Sequence, residues 1–105
     1  MGKKKSIKDN LKMFKKEVNE EIPIKEMILF GSRAEGKVGK DSDIDLIIVS
    51  DEFEGLDFFQ RGAKMYGYWK LDYPVDFLCY TGKEFEKLAK KITIVREAVR
   101  KGIVI

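Results

Sequence analysis

An apolar run at Ile44 to Val49 is opened by a pair of acids, Asp43 and Asp45, and constrains the fold more than any other segment. The run is rich in Ile and Val, which predicts a buried β-strand over about residues 44–50. Side chains two positions apart on a strand share a face, so Asp43 and Asp45 point the same way. Neighbouring carboxylates repel each other, and a divalent cation such as Mg²⁺ commonly offsets that repulsion. A polar turn followed by a strand-edge charge is the purely structural alternative.

A glycine–serine turn, Gly31-Ser32, follows a second short strand predicted at residues 25–30. Ser32 suits a helix N-cap, with residues 33–35 as the first helical turn. Free N–H groups at a helix start bind anions, and Gly31 lets a phosphate come close to the backbone. Alone, such a turn is an ordinary loop. Placed eleven residues before Asp43, it indicates one half of a nucleotide-phosphate site.

A third acid lies inside another apolar run, which predicts a strand over residues 74–80. Alternation places Asp76 on a face with Leu78 and Tyr80, and Cys79 on the opposite, buried face. An acid within an apolar strand is costly unless it is paired or binds a metal. Pairing with a lysine or arginine is the alternative, but beside the first two acids metal ligation is favoured.

These motifs resemble the DNA polymerase β-type nucleotidyltransferase superfamily, and more narrowly its minimal members, the MNT antitoxin-like proteins that pair with HEPN-domain proteins. The resemblance implies that Gly31 and Ser32 bind nucleotide phosphates, and that Asp43, Asp45 and Asp76 bind two Mg²⁺ ions with ATP as substrate. Asp76 would also accept the proton of the attacking hydroxyl. Glu35 departs from the family, because many members carry arginine there.

The resemblance implies transfer of AMP from Mg-ATP to a hydroxyl of a partner protein, namely a tyrosine of a HEPN ribonuclease toxin. Two alternatives stay open: a binding module that neutralises its partner by occlusion, and transfer to an antibiotic or another small molecule. No added domain that could hold an acceptor is expected within these 105 residues, and a cluster of aromatic residues lies between residues 53 and 73. A partner protein or a homodimer is therefore expected to complete the pocket.

The predicted fold class is α/β (α+β): a small mixed β-sheet flanked by helices, as in a polymerase β-type nucleotidyltransferase palm. With 105 residues, one domain is expected, with an N-terminal helix at 1–22 and a catalytic core at 24–105. Ser6 and Thr81 are predicted to cap helices. Further helices are predicted at 58–69, to residue 91 and at 94–101, before a last strand at 103–105.

Composition limits the remaining function classes. A net charge of +3 is too small to indicate nucleic-acid binding. No apolar run approaches the length of a membrane-spanning helix, and a cytoplasmic location is expected, with Cys79 reduced. Four cations are candidates for phosphate contacts, although ordinary surface charge is the favoured interpretation: Arg61, Lys64, Arg96 and Arg100.

Overall fold

A computed structural model of the protein describes residues 6–31, residue 34 and residues 43–105. Within these residues the chain forms a four-stranded sheet in the order β3-β2-β1-β4. Strand β2 pairs antiparallel with β1 and parallel with β3, and β1 pairs antiparallel with β4. The sheet is therefore mixed, as predicted. The strands are β1 Glu26–Phe30, β2 Ile44–Val49, β3 Val75–Tyr80 and β4 Ile103–Val104.

Four α-helices pack on this sheet in the described part of the chain. Their bounds are α1 Ile7–Asn19, α2 Phe58–Tyr66, α3 Gly82–Ala89 and α4 Ile94–Lys101. The predicted caps are confirmed, because the Ser6 side chain accepts from Asp9 N–H and the Thr81 side chain accepts from Glu84 N–H. None of the described helices combines the length and apolar character needed to cross a membrane.

Two predicted helix ends and one predicted loop differ from the structure. Helix α2 ends at Tyr66 instead of residue 69, because its continuation tightens into turns in which Trp69 N–H donates to the Tyr66 carbonyl. Helix α3 ends at Ala89 instead of residue 91 for a similar reason. The segment predicted as a plain loop contains a short 3₁₀ turn at Asp51–Phe53, capped by Ser50.

The two faces of the sheet carry separate apolar clusters, and the alternation along β2 is confirmed. Ile44, Leu46 and Ile48 pack toward α1 and α2, together with the β3 residues Val75, Phe77 and Cys79. Ile47 and Val49 face the other way and pack against Val95 and Ala98 of α4. Covering both faces by helices explains why the β2 run is almost continuously apolar.

Arg61 corrects a sequence-based interpretation. It was expected to be a surface charge or a phosphate contact, but it is a buried residue of α2. Its guanidinium donates to the carbonyls of Phe53, Leu56 and Cys79 and forms an ion pair with Glu84 at 2.6 Å. Arg61 therefore joins the 3₁₀ turn, β3 and α3, and its donors are occupied within the fold.

Candidate active site

The register of the sheet brings the predicted glycine and acids to one end of it. Phe30 pairs with Asp45 across the antiparallel β1–β2 ladder, so Gly31 follows directly beside Asp45. Asp45 in turn pairs with Asp76 across the parallel β2–β3 ladder. Asp43 lies just before β2 and reaches the same end. Alternation predicted that Asp43 and Asp45 share a face. The strand pairing shows in addition that Asp45 and Asp76 are neighbours.

Gly31 is packed directly against the Asp45 carboxylate. Its φ is +76°, a conformation that side-chain-bearing residues rarely adopt. A Cβ atom at this position would overlap Asp45 Oδ2. A glycine is required here both for the backbone turn and for the closeness of the backbone to the acid.

Negative charge accumulates at this end of the sheet. Partial burial raises the pKa of Asp45 above its ordinary value, and the neighbouring charges of Asp76 and Asp43 raise it further. Like charges close together favour protonation of one partner or the arrival of a cation. The site is thus electrostatically prepared for a positive ligand.

The desolvation argument that singled out Asp76 was wrong. Asp76 is exposed, whereas the alternate residues Val75 and Phe77 on the same strand are buried. Strand β3 is one of the two outer strands of the sheet, and Asp76 lies near its beginning, where it lines a cleft. The desolvation cost of its carboxylate is therefore small. Asp76 is a candidate site residue because it lies beside Asp45.

The acids fit Mg²⁺ by the chemistry of their donors. Carboxylate oxygens are the preferred ligands of Mg²⁺, which uses one or two of them and completes its shell with water and phosphate oxygens. In residues 6–31, 34 and 43–105, no three His, Cys, Asp or Glu side chains converge as a preformed metal cluster. The arrangement suits a metal that arrives together with a phosphate-bearing substrate.

A cleft of about 600 Å³ opens beside these residues. Its lining includes Gly31, Asp45 and Asp76 together with the apolar side chains of Phe58 and Leu78. Residues of α4 also line the cleft. This volume suits a nucleotide-sized ligand, with acids to hold a metal and apolar surface for a base.

Ser32, the second residue of the predicted phosphate-binding turn, lies outside the described residues, as do Arg33 and Glu35 of the predicted helical turn at 33–35. Sequence reasoning missed the contribution of α4 to the cleft through Glu97 and Lys101. Helical periodicity shows that a helix has faces, but it does not show which strand the helix lies beside. The pairing of β4 with β1 would have been the necessary signal.

Comparison with known proteins identifies the class. The nucleotidyltransferase domain family matches residues 11–101, which is most of the chain and includes Gly31 and all three acids. The chain belongs to this family.

A curated relative and two solved structures extend the comparison. Over 78 residues the chain is 36% identical to the probable protein adenylyltransferase MntA of Haemophilus influenzae, covering 70% of this chain and 67% of that protein. A candidate nucleotidyltransferase from Sulfolobus solfataricus superimposes with a TM-score of 0.58 at 26% identity, covering 99% of this chain and 89% of the other. A toxin–antitoxin structure with AMP-PNP superimposes with a TM-score of 0.60 at 22% identity, covering 94% and 72%. This last likeness shows a shared fold.

Proposed function

We propose that this protein transfers AMP from Mg-ATP to a hydroxyl group of a partner protein. The observation that carries the proposal is the packing of Gly31 against Asp45, which is itself paired with Asp76 at the mouth of a nucleotide-sized cleft. Membership of the nucleotidyltransferase family supports the reaction class. Similarity to a probable protein adenylyltransferase supports a protein as acceptor.

Each of the site residues has a distinct role in this proposal. Gly31, together with the Ser32 hydroxyl, binds the phosphates through the backbone turn. Asp43, Asp45 and Asp76 hold two Mg²⁺ ions, which when bound neutralise phosphate charge and lower the pKa of the acceptor hydroxyl.

Asp76 also accepts the proton of the acceptor hydroxyl. The exposure of this acid supports the role, because Asp76 is exposed where it lines the cleft, whereas Asp45 is half-buried. The acceptor oxygen bonds to the α-phosphorus of ATP, the bond to the bridging oxygen breaks, and pyrophosphate leaves with its electron pair. No nucleophile of the protein itself is needed.

An aromatic groove beside Asp76 supports a protein acceptor over a small polar one. Phe58, Phe59 and Tyr66 on α2 are 56%, 81% and 52% exposed. With Asp76 and Phe77 they line a groove of about 280 Å³ that adjoins the cleft. Exposed apolar surface of this kind is typical of protein interaction sites.

We propose a HEPN-domain toxin as the partner, with a tyrosine as the acceptor and this chain as the antitoxin. The motif resemblance supports this assignment, and the fold shared with one solved toxin–antitoxin structure is compatible with it. The same exposed aromatics also suit the second candidate, an antitoxin that acts by occlusion alone. The two candidates differ in whether the partner becomes covalently modified.

Labelled ATP distinguishes these functions. The protein is incubated with Mg²⁺ and a lysate of its source organism, in parallel with α-labelled and γ-labelled ATP. A protein band labelled only from the α-position supports nucleotidyl transfer to a protein. Label on small molecules would move the assignment to metabolite or drug modification. Co-purification of a partner without any label would favour the occlusion mechanism.

A further inference from the structure

Strand pairing places the end of α4 beside the phosphate-binding turn. Ile103 pairs with Leu29 and Val104 pairs with Ile28 in the antiparallel β1–β4 ladder. One step further along, Lys101 and Gly102 therefore lie next to the end of β1, where Gly31 begins the turn. Both Lys101 and Gly102 line the cleft that contains Asp45 and Asp76.

Gly102 allows the end of α4 to lie this close to β1. A Cβ atom at this position would lie 2.8 Å from the Leu29 carbonyl oxygen and would also overlap the Ala98 carbonyl oxygen. The absence of a side chain lets the last turn of α4 rest directly on β1. The position of Lys101 beside the site is thus set by tight backbone packing.

One stripe of α4 faces the cleft. Its members follow helical spacing and are Ile94, Glu97, Ala98 and Lys101. Arg96 and Arg100, which sequence analysis considered as phosphate contacts, lie outside this stripe. Among the described residues that line the cleft, Lys101 is the one cation.

We propose that Lys101 binds the terminal phosphates of the nucleotide. When ATP enters, the ion pair of Lys101 with Glu97 is replaced by an ion pair of Lys101 with these phosphates. This inference rests on the proposed function and adds a phosphate-binding residue to it. The lysine is available for such an exchange, because Lys101 Nζ lies 3.6 Å from Glu97 Oε2 and the two side chains are 64% and 55% exposed. Exposed ion pairs of this kind contribute little stability.

The competing explanation is that Lys101 only stabilises the end of its helix. A cation in the last turn offsets the negative end of the helix dipole, and Glu97 is a favourable partner four residues earlier. Arg100 supplies the matched comparison, because it also lies in the last turn and approaches Glu97, at 3.7 Å. Arg100 has these helix interactions but does not line the cleft.

Calorimetric titration of ATP and AMP, with Mg²⁺ present, separates the two explanations. Lys101→Met should weaken ATP binding about tenfold, the usual effect of losing a charged hydrogen bond. It should leave AMP binding nearly unchanged, because AMP lacks the terminal phosphates. Arg100→Met should leave both affinities nearly unchanged, and Lys101→Arg should retain most of the ATP affinity.

Two results would overturn the inference while leaving the proposed function in place. These are an unchanged ATP affinity in Lys101→Met, and equal losses in Lys101→Met and Arg100→Met. Failure of the wild-type protein to bind either nucleotide would overturn the proposed function and the inference together. Thermal unfolding of each variant confirms that the compared proteins are folded.

Discussion

At the scale of single residues, Gly31 and its contact with Asp45 have two structural consequences. Gly31 turns the chain out of β1 with a positive φ, and its backbone lies close to an acid that is proposed to hold a metal. Phosphate and metal must lie side by side in nucleotidyl transfer, so a side chain between them would separate the two halves of the site.

Gly31→Ala tests this contact against a matched glycine. Gly55 has a similar φ of +83°, but nothing lies within 4 Å of where its Cβ would be. Both alanine variants should lose about 1 kcal/mol of unfolding free energy from backbone strain. Gly31→Ala should in addition lose most nucleotide binding, measured by calorimetry, whereas Gly55→Ala should keep it. Equal binding by the two variants would contradict the role of Gly31.

The raised pKa of Asp45 predicts a stability that depends on pH. In metal-free buffer the folded state binds a proton more tightly than the unfolded state, so ionisation of Asp45 lowers the free energy of unfolding as pH rises. Asp45→Asn should therefore be more stable than wild type at neutral pH. The difference should shrink as pH falls through the raised pKa, where the wild-type carboxyl also becomes neutral.

Thermal unfolding from neutral to acidic pH measures this difference, with Asp72→Asn as the control. Asp72 is an exposed acid in the turn before β3 and lies outside the cleft lining. Added Mg²⁺ should reverse the order of wild type and Asp45→Asn. A lower stability of Asp45→Asn at neutral pH without metal would argue against charge repulsion at the site.

Sequence patterns also predicted some properties of single residues and missed others. Alternation correctly assigned the faces of Asp45, Asp76 and Cys79, because a strand has a fixed period of two. It could not reveal that Asp76 is exposed, since burial depends on which strand is outermost. It also gave no sign that the Arg61 guanidinium is satisfied by carbonyls distant in sequence.

At the scale of elements, Arg61 holds the supporting side of the site in place. It bonds to carbonyls of the 3₁₀ turn and of β3, while pairing with Glu84 at the start of α3. The same contact lowers the pKa of Glu84. Because β3 carries Asp76, this network helps to fix the strand that presents the third acid.

Arg61→Met is expected to lower the free energy of unfolding by about 2–4 kcal/mol, because buried carbonyls lose their donors and Glu84 loses its partner. Lys64→Met is the matched control, since Lys64 is an exposed cation on the same helix. It should change stability by less than about 0.5 kcal/mol. Urea unfolding measures both values, and similar losses in the two variants would contradict a structural role for Arg61.

The elements themselves were largely predictable, whereas their pairing was not. Helix α4 was predicted with its observed bounds, ending just before Gly102. The antiparallel entry of β4 beside β1 depends on contacts distant in sequence, which local patterns do not encode. For this reason the cleft-facing stripe of α4 was visible only in the structure.

At the scale of the whole molecule, the exposed aromatics of α2 are proposed to receive the partner protein. Phe59→Ser should leave stability nearly unchanged, because Phe59 is 81% exposed, and should leave ATP binding intact. Labelling of the partner protein should fall at least about tenfold, as expected for loss of an interface anchor. Ile92→Ser is the matched control, since Ile92 is 94% exposed and lies outside the aromatic groove. Equal labelling by the two variants would place the docking surface elsewhere.

The acids gathered at one end of the sheet are proposed to perform nucleotidyl transfer, and a comparison of two aspartates tests this role. The measurement is the rate of label transfer from α-labelled ATP to protein, with Mg²⁺, for wild type, Asp76→Asn and Asp72→Asn. Both variants remove one exposed acid near the start of β3, but only Asp76 pairs with Asp45. Wild type and Asp72→Asn are expected to transfer the label, with a loss of at least about a hundredfold in Asp76→Asn. Undiminished transfer by a folded Asp76→Asn protein would contradict this role.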